Sequence, residues 1–568
     1  MTYATKIDLD MALLPKDTPM FSDLVLILED DQSVNPIRRR DMISGLTRIA
    51  MAIGRPLQDI PCSPHWLQPR LAKVAPGALK ISLKTWQNAI SNARSAMVHA
   101  QIVDQRPHRK THLNEDWRRL WDLILASNDR TLRPTLSRFI YFLNDAGVAP
   151  QEVSDDHAQA FHLALIRNEI SKSPLRVYRS AVFGWNLAGK RISEWPDTKL
   201  DLPALTTVIK LPESALPPSF IADLDSLMAR LATPDILDDA TISKARRPAT
   251  IYLYRRQILR FASEIVHSGV PAEELLSIGN ILEPQMAQRG LRQMLSRTNN
   301  KPNNLTCRTA ELLRFLGRAT QQDPKTQAQL ERLAGKLKLP SKQGMTRKNR
   351  DRLRVLLTEE NSFKIFTMPD RLFQRPPQGK ANAFTQALAR EDALAMAILL
   401  YCPVRIKNLA GIHLEQHLQR PGDGRVFLVL TEEEVKNARP LEFELTQDVI
   451  KMINAHLKTR SLELCPAGTP WLFPRRDGRG PMDPNHLARR LKRRIRKETG
   501  LEMNAHLFRH FAVAHLLDAR PGSYELARRL LGHSDVSHTI NMYAGLEVKS
   551  AIKAYADLVG DKKKGWRA

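Results

Sequence analysis

The stretch HLFRHFAVAHLLDARPGSYELARRLLGHSDVSHTINMYAG, residues 506–545, decides how the whole chain is read. It opens on an HxxR pair, His506 and Arg509; LLGH then brings His533 27 residues after His506, and nine residues separate His533 from Tyr543. HxxR alone recurs by chance in many proteins, but the ordered succession of HLFRH, LLGH and Tyr at these intervals does not. Upstream, an apolar run ending LLYCPV leads into Arg405 and IKNLAGI. Between the two blocks lie strand-like runs, RVFLVL at 425–430 and LEFEL at 441–445, bracketing TEEEVKNARP with its Lys436. Helical patterns at 391–400 and 447–457 flank them, so the C-terminal part reads as an α+β domain over 355–568 with a small β-sheet.

In these residues the chain strongly resembles the tyrosine recombinase (phage integrase) family. That family's catalytic domain carries an early Arg, a Lys between two strands, an HxxR pair, a GH before a short helix and a terminal Tyr. The resemblance covers about 380–550 and implies a catalytic set of Arg405, Lys436, His506, Arg509, His533 and Tyr543 as nucleophile. The implied activity is site-specific recombination or integration of DNA, with strands cleaved and rejoined through a covalent 3′-phosphotyrosyl intermediate. The chemistry accounts for the residue types. A tyrosine ester conserves the energy of the phosphodiester bond, so the step is reversible without a high-energy cofactor. Two arginines offer planar, permanently charged forks to the nonbridging phosphate oxygens. His506, near neutral in pKa, suits general acid/base work beside Tyr543, and His533 suits hydrogen bonding to the phosphate. By resemblance, Lys436 protonates the leaving 5′ oxygen. The pattern departs from the family around the first arginine, where Pro403 and Val404 replace Gly-Leu and Asn408 stands in place of an acid. An Asn carbonyl can accept the same hydrogen bond.

The chemistry calls for no metal and no other cofactor. HLEQH (His413, His417) and HLFRH (His506, His510) place two histidines four apart, but neither has the Glu of HExxH, and no third ligand suggests itself. There is no phosphate-cradling GxxxxGK loop and no GxGxxG.

Composition agrees with a polyanionic partner. The 568 residues hold 86 Lys+Arg against 60 Asp+Glu, a formal net charge of +26. Such a surplus favours polyanions, above all nucleic acid, with an acidic lipid surface as the main competitor, and the resemblance makes that partner double-stranded DNA. The longest apolar run, 393–404, has 12 residues, short of the roughly 20 needed to span a bilayer. No secretory signal pattern is visible at the N-terminus, and the four scattered cysteines (Cys62, Cys307, Cys402, Cys465) read as reduced thiols. A cytoplasmic, nucleoid-associated location without a membrane partner is therefore expected.

The first 340 residues carry helical patterns with Pro/Gly punctuation, giving a multidomain, mainly α protein. Three segments look alike. Each opens on an aromatic-led amphipathic stretch (Phe21, Trp117, Phe220) and reaches a basic-apolar helix that ends at a glycine (Gly54, Gly147, Gly269). A proline follows within three residues (Pro56, Pro150, Pro271). The expected boundaries are helical units at 1–107 and 108–200 and a core-binding, clamp-like helical domain at 212–340, all of the SAM-like core-binding type that the resemblance implies. The alternative is an ordinary helical bundle with the same punctuation.

Two basic stretches should grip the duplex, the alternatives being a merely solvated tether for the first and a solvated charged helix for the second. KQGMTRKNRDRLR, 342–354, carries six basic residues and one acid and reads as an extended linker over 341–354; Lys342, Arg347, Lys348 and Arg350 are its candidate contacts. The stretch 474–500 has ten basic and three acidic residues, with charge nearly all round a helix; Arg489, Arg490, Arg493 and Arg494 are the candidates there. By resemblance the C-terminal helix docks on a neighbouring protomer, which implies a homo-tetramer on two DNA sites of a mobile element; the alternative is a simple helix packed in cis. Two other readings stay open: a catalytically inactive architectural or regulatory DNA-binding protein, and type IB topoisomerase-like strand relaxation.

Overall fold

The computed structural model describes residues 11–565 except 12–13, 16, 80, 106–112, 130, 204–208, 235–244, 341–343, 377–382, 436–438, 461–463, 465–468, 544 and 546–547. The chain divides into two compact units, Met1–Leu202 with Gln343–Ala568, and Pro203–Lys342.

In the first unit, α1 (Phe21–Asp30), α2 (Pro36–Ile53), α3 (Pro64–Leu71) and α4 (Leu83–His99) enclose one core around Phe21, Leu46, Trp66 and Ala93. A second core, around Trp117, Phe139 and Trp185, lies among α5 (Glu115–Ala126), α6 (Leu132–Asp145), α7 (Asp155–Asn168) and α8 (Pro174–Ala188). The unit at 203–342 repeats the pattern with α9 (Pro218–Ala232), α10 (Pro248–His267), α11 (Ile278–Leu282), α12 (Pro284–Ser296), α13 (Asn304–Ala319) and α14 (Pro324–Leu337).

The same order of elements recurs three times. An aromatic-led helix buries Phe21, Trp117 or Phe220 completely. A long helix then stops at Gly54, Gly147 or Gly269, with φ of 74°, 71° and 94°. These are left-handed conformations that side chains with a Cβ avoid, which is why glycine closes each helix. The following proline leads into a single 3-10 turn in each case, at Leu57–Asp59, Pro150–Glu152 and Ala272–Glu274.

The domain after 343 opens with α15 (Arg347–Leu356), and here the structure corrects the expected linker. Met345, Leu353 and Leu356 are buried in the domain's own core, so this basic stretch is the domain's first helix. Leu353 and Leu356, three apart, give the helix one apolar edge, while Arg347, Lys348, Arg350 and Arg354 stay exposed on the rest. Thr346 caps its N-terminus by accepting from the Asn349 amide at 3.4 Å. Next come α16 (Glu359–Gln374), the buried α17 (Ala383–Tyr401) and the short α18 (Ile406–Ala410). Strands β1 (Leu418–Gln419), β2 (Phe427–Leu430) and β3 (Leu441–Glu444) form an antiparallel sheet in the order β1-β2-β3, with Leu428 opposite Phe443. The remaining helices are α19 (Gln447–Thr459), α20 (Pro484–Thr499), α21 (Ala505–Ala519), α22 (Tyr524–Leu531), α23 (Val536–Tyr543) and α24 (Val548–Gly565). The fold is thus mainly helical with one small sheet, as the patterns suggest. Among the described residues no helix is long and apolar enough to cross a membrane.

Candidate active site

Arg405 ends the turn that follows α17 and stands at the N-cap of α18. Its guanidinium is half withdrawn from water, and that burial holds its pKa below the ordinary value. Arg509, 3% exposed in α21, donates Nη1 to the Pro403 carbonyl (2.5 Å) and Nη2 to the Leu531 carbonyl (2.7 Å). One arginine therefore ties the turn before Arg405 to the end of α22. Burial first, then the neighbouring Arg405, brings Arg509 down to about 10.

His506, His510 and Arg509 share α21, where spacings of three and four put them on one side. His506 is exposed. Desolvation, with Arg509 and Arg405 nearby, lowers its pKa and favours the neutral ring. His533 follows Gly532, whose φ of +60° closes α22; a Cβ at 532 would meet Leu441 Cδ2 at 2.6 Å. The left-handed backbone is what asks for glycine, and a Cβ would also force the Leu441 methyl to shift. His533 Nδ1 lies 2.9 Å from Thr539 Oγ1, and burial followed by the Arg509 charge lowers its pKa to about 4. Tyr543 ends α23 and is 2% exposed. Burial raises its pKa well above 10, with Arg509 pulling the other way.

These side chains surround a single cleft of about 430 Å³. Arg405, His506, Arg509, His533 and Tyr543 line it together with His510, Ser534, His538 and Met542, and the described lining residues include no carboxylate. Two guanidiniums therefore line the cleft, Arg405 half-buried and Arg509 buried with one N–H of each Nη spent on a carbonyl, and no acid among the described lining residues offsets their charge.

Five of the six expected catalytic residues meet here; Lys436 lies outside the described residues. Asn408, which stands where the family has an acid, uses its amide nitrogen elsewhere. Its Nδ2 donates to the Glu434 carbonyl at 3.2 Å, so it links α18 to the connection between β2 and β3. Glu434 in turn receives His417 Nε2 at 2.7 Å, which accounts for one histidine of HLEQH. Among the described residues no cluster of three or more potential metal ligands occurs.

The cleft also holds a residue that the motif passes over, His510. In the sequence it figures only as half of a zinc-like spacing, yet its buried Nδ1 sits 2.9 Å from the Tyr543 hydroxyl. A signal for it exists: HLFRH puts a second histidine one turn beyond His506 on the same face of the helix.

The basic residues divide by face. Arg347, Lys348 and Arg350 are exposed on α15, and Lys342 lies outside the described residues. On α20, Arg489 and Arg493 are exposed, as is Lys497 in the same four-residue stripe. Arg490 and Arg494 point inward, which corrects the expectation of charge all round. Arg490, 7% exposed, lies 2.6 Å from Glu391 Oε2 and donates to Asp392 Oδ1 at 2.5 Å, while Arg494 meets Asp392 Oδ2 at 2.9 Å. Both are committed to buried carboxylates of α17 and are not free to hold phosphate.

Among solved structures, the chain is similar to XerH site-specific recombinase bound to difH substrate in a pre-cleavage complex. Identity is 15%, over 59% of this chain and 93% of that one, with a TM-score of 0.36. It is similar also to the XerH post-cleavage complex on palindromic difH, at 13% identity over 61% and 98% with a TM-score of 0.33. For XerA recombinase the figures are 14%, 59% and 98%, with a TM-score of 0.24. No curated protein matches the chain. The phage integrase family matches residues 377–549, the segment that contains Arg405, both histidine motifs and Tyr543, and the chain carries a phage integrase family domain there.

Proposed function

We propose that the protein is a site-specific DNA recombinase or integrase that breaks and rejoins strands through a 3′-phosphotyrosyl link at Tyr543. The observation that carries this is the meeting of Arg405, His506, Arg509, His533 and Tyr543, from segments up to 138 residues apart, in one cleft without a carboxylate among its described lining residues.

In the proposed reaction Arg405 and Arg509 hold the nonbridging oxygens of a scissile phosphate as charge builds on them. The phenol oxygen of Tyr543 attacks phosphorus, and the 5′ oxygen departs and takes a proton, a role given to Lys436. In the tautomer with its hydrogen on Nε2, His533 accepts from the Thr539 hydroxyl at Nδ1, 2.9 Å away, and donates from Nε2 to a phosphate oxygen; the reaction uses this form. The exposed cations of α15 and the Arg489–Arg493–Lys497 stripe of α20 grip the duplex backbone without reading sequence. A homo-tetramer on two DNA sites, a mobile element as the substrate and a place on the nucleoid complete the reading.

The test uses nicked duplexes that trap a cleaved strand, with a randomised centre in place of the unknown site. Wild type should form a protein–DNA adduct that survives denaturation, and Tyr543→Phe should form none. An adduct from the Phe variant, or none from wild type across the whole pool, would sink the assignment. Relaxation of a plasmid without recombinant products would move it to a topoisomerase.

A further inference from the structure

We infer that His510 is a further catalytic residue of this cleft, the group that takes the proton from the Tyr543 hydroxyl as that oxygen attacks phosphorus. The inference rests on the reading of Tyr543 as nucleophile.

Among the described residues, His510 is the side chain that hydrogen-bonds the Tyr543 hydroxyl, at 2.9 Å from Nδ1. Both partners are buried, 3% and 2% exposed, so no bulk water competes for the proton at that point. His506, to which the HxxR spacing gives the proton-transfer role, makes no such bond. It stacks edge-on against His510 with ring centroids 4.6 Å apart and is itself exposed. The base next to the nucleophile is therefore one helical turn deeper than the motif suggests, which is the geometry that general base catalysis requires first.

The step balances without a co-reactant. The Oη–H bond breaks with its proton passing to His510 Nδ1, and the Oη–P bond forms. The P–O5′ bond breaks with its electron pair on O5′, which takes a proton from a donor on the leaving side. In rejoining, the 5′ hydroxyl gives its proton back to the donor on the leaving side and attacks phosphorus, the Oη–P bond breaks with its electron pair on Oη, and the His510 imidazolium returns its proton there.

In the free protein the charges facing His510 oppose transfer. Burial first, then His506, Arg509 and His533, lowers its pKa to about 3, while burial raises Tyr543. Arg405 and His538 line the same cleft. A phosphodiester seated between Arg405 and Arg509 cancels the positive field that weakens His510, and the phenol grows more acidic as its oxygen bonds to phosphorus. Transfer is thereby coupled to attack, and the tyrosine stays an inert phenol until a phosphate is bound.

The variant is His510→Asn, whose amide reaches the Nδ1 position and keeps a hydrogen bond while accepting no proton. The probe is the nicked duplex recovered from the randomised pool by its denaturation-resistant attachment to wild type. Single-turnover adduct formation by His510→Asn should fall roughly 100- to 10,000-fold at neutral pH. Its rate should then climb about tenfold per pH unit up to about pH 9, as hydroxide replaces the missing base, while wild type stays flat. A variant within about threefold of wild type, or one depressed by the same factor at every pH, overturns the inference. Tyr543→Phe is run in parallel: an adduct there overturns the nucleophile reading itself, which is a different failure. A second readout does not depend on the variant's folding. In 15N-histidine-labelled full-length protein, His510 should be neutral with Nδ1 unprotonated and accepting; a protonated Nδ1 overturns the inference.

Discussion

Replacing Arg490 with methionine separates the two faces of α20. The guanidinium bridges Glu391 and Asp392, both 0% exposed, and Arg494 is the remaining cation on Asp392. Arg490→Met leaves two carboxylates in a dry setting, Asp392 still on Arg494 and Glu391 without the guanidinium that bridges it. Breaking such a pair costs about 3–5 kcal/mol. For a domain of this size that lowers Tm by roughly 6–20 °C. Arg489→Ala with Arg493→Ala should do the opposite. Both side chains are exposed, so stability changes by no more than about 0.5 kcal/mol each. Each lost phosphate contact, however, flattens the log–log salt dependence of DNA affinity by about 0.9. The assay pairs thermal melts with affinity for a nonspecific duplex at several salt concentrations. A third variant, Arg490→Met with Glu391→Leu and Asp392→Leu, removes the stranded charges while Arg494 retains Glu498 at 3.8 Å, and should regain most of the lost stability. If Arg490→Met melts within about 2 °C of wild type and flattens the salt slope, Arg490 faces DNA and the division of the helix is wrong.

Two further outcomes follow from buried groups. His456 is 1% exposed, neither ring nitrogen has a partner among the described residues, and burial followed by Arg460, Arg390 and Arg490 lowers its pKa to about 4. Because the unfolded chain then binds the proton more tightly, stability is full above about pH 6.5 and falls toward pH 4, by up to about 3 kcal/mol from this residue alone. His456→Leu should flatten that decline in urea titrations at several pH values; an unchanged decline rejects the assignment. Gly532→Ala should cost about 2–4 kcal/mol, from the left-handed backbone and the 2.6 Å approach to Leu441 Cδ2, with adduct formation falling because His533 is the next residue. Calorimetry showing no loss would mean that this turn relaxes freely.

Local features are legible in the amino-acid sequence. The three glycine stops follow from a backbone conformation that only glycine reaches cheaply, and they recur at Gly54, Gly147 and Gly269 with positive φ. The aromatic residues that open each repeat are core residues, as their amphipathic settings suggest. The basic stretch at 347–356 resembles a linker only while its arginines are counted and the three-residue spacing of Leu353 and Leu356 is not. A helix can be highly charged and still bury one edge.

By itself the sequence determined the chemistry on offer: a tyrosine, two arginines and two histidines in a fixed order, and a positive surplus that favours an anionic partner. Helical spacing even placed His506, Arg509 and His510 on one side of α21, since that is a property of the local backbone. Only the tertiary structure decided which histidine touches Tyr543, because the two are 33 residues apart and meet through the packing of α21 against α23. Likewise only packing decided which arginines of α20 are free. Their carboxylate partners on α17 lie about a hundred residues away, and the energy of a buried ion pair exists only where the fold has already removed the water.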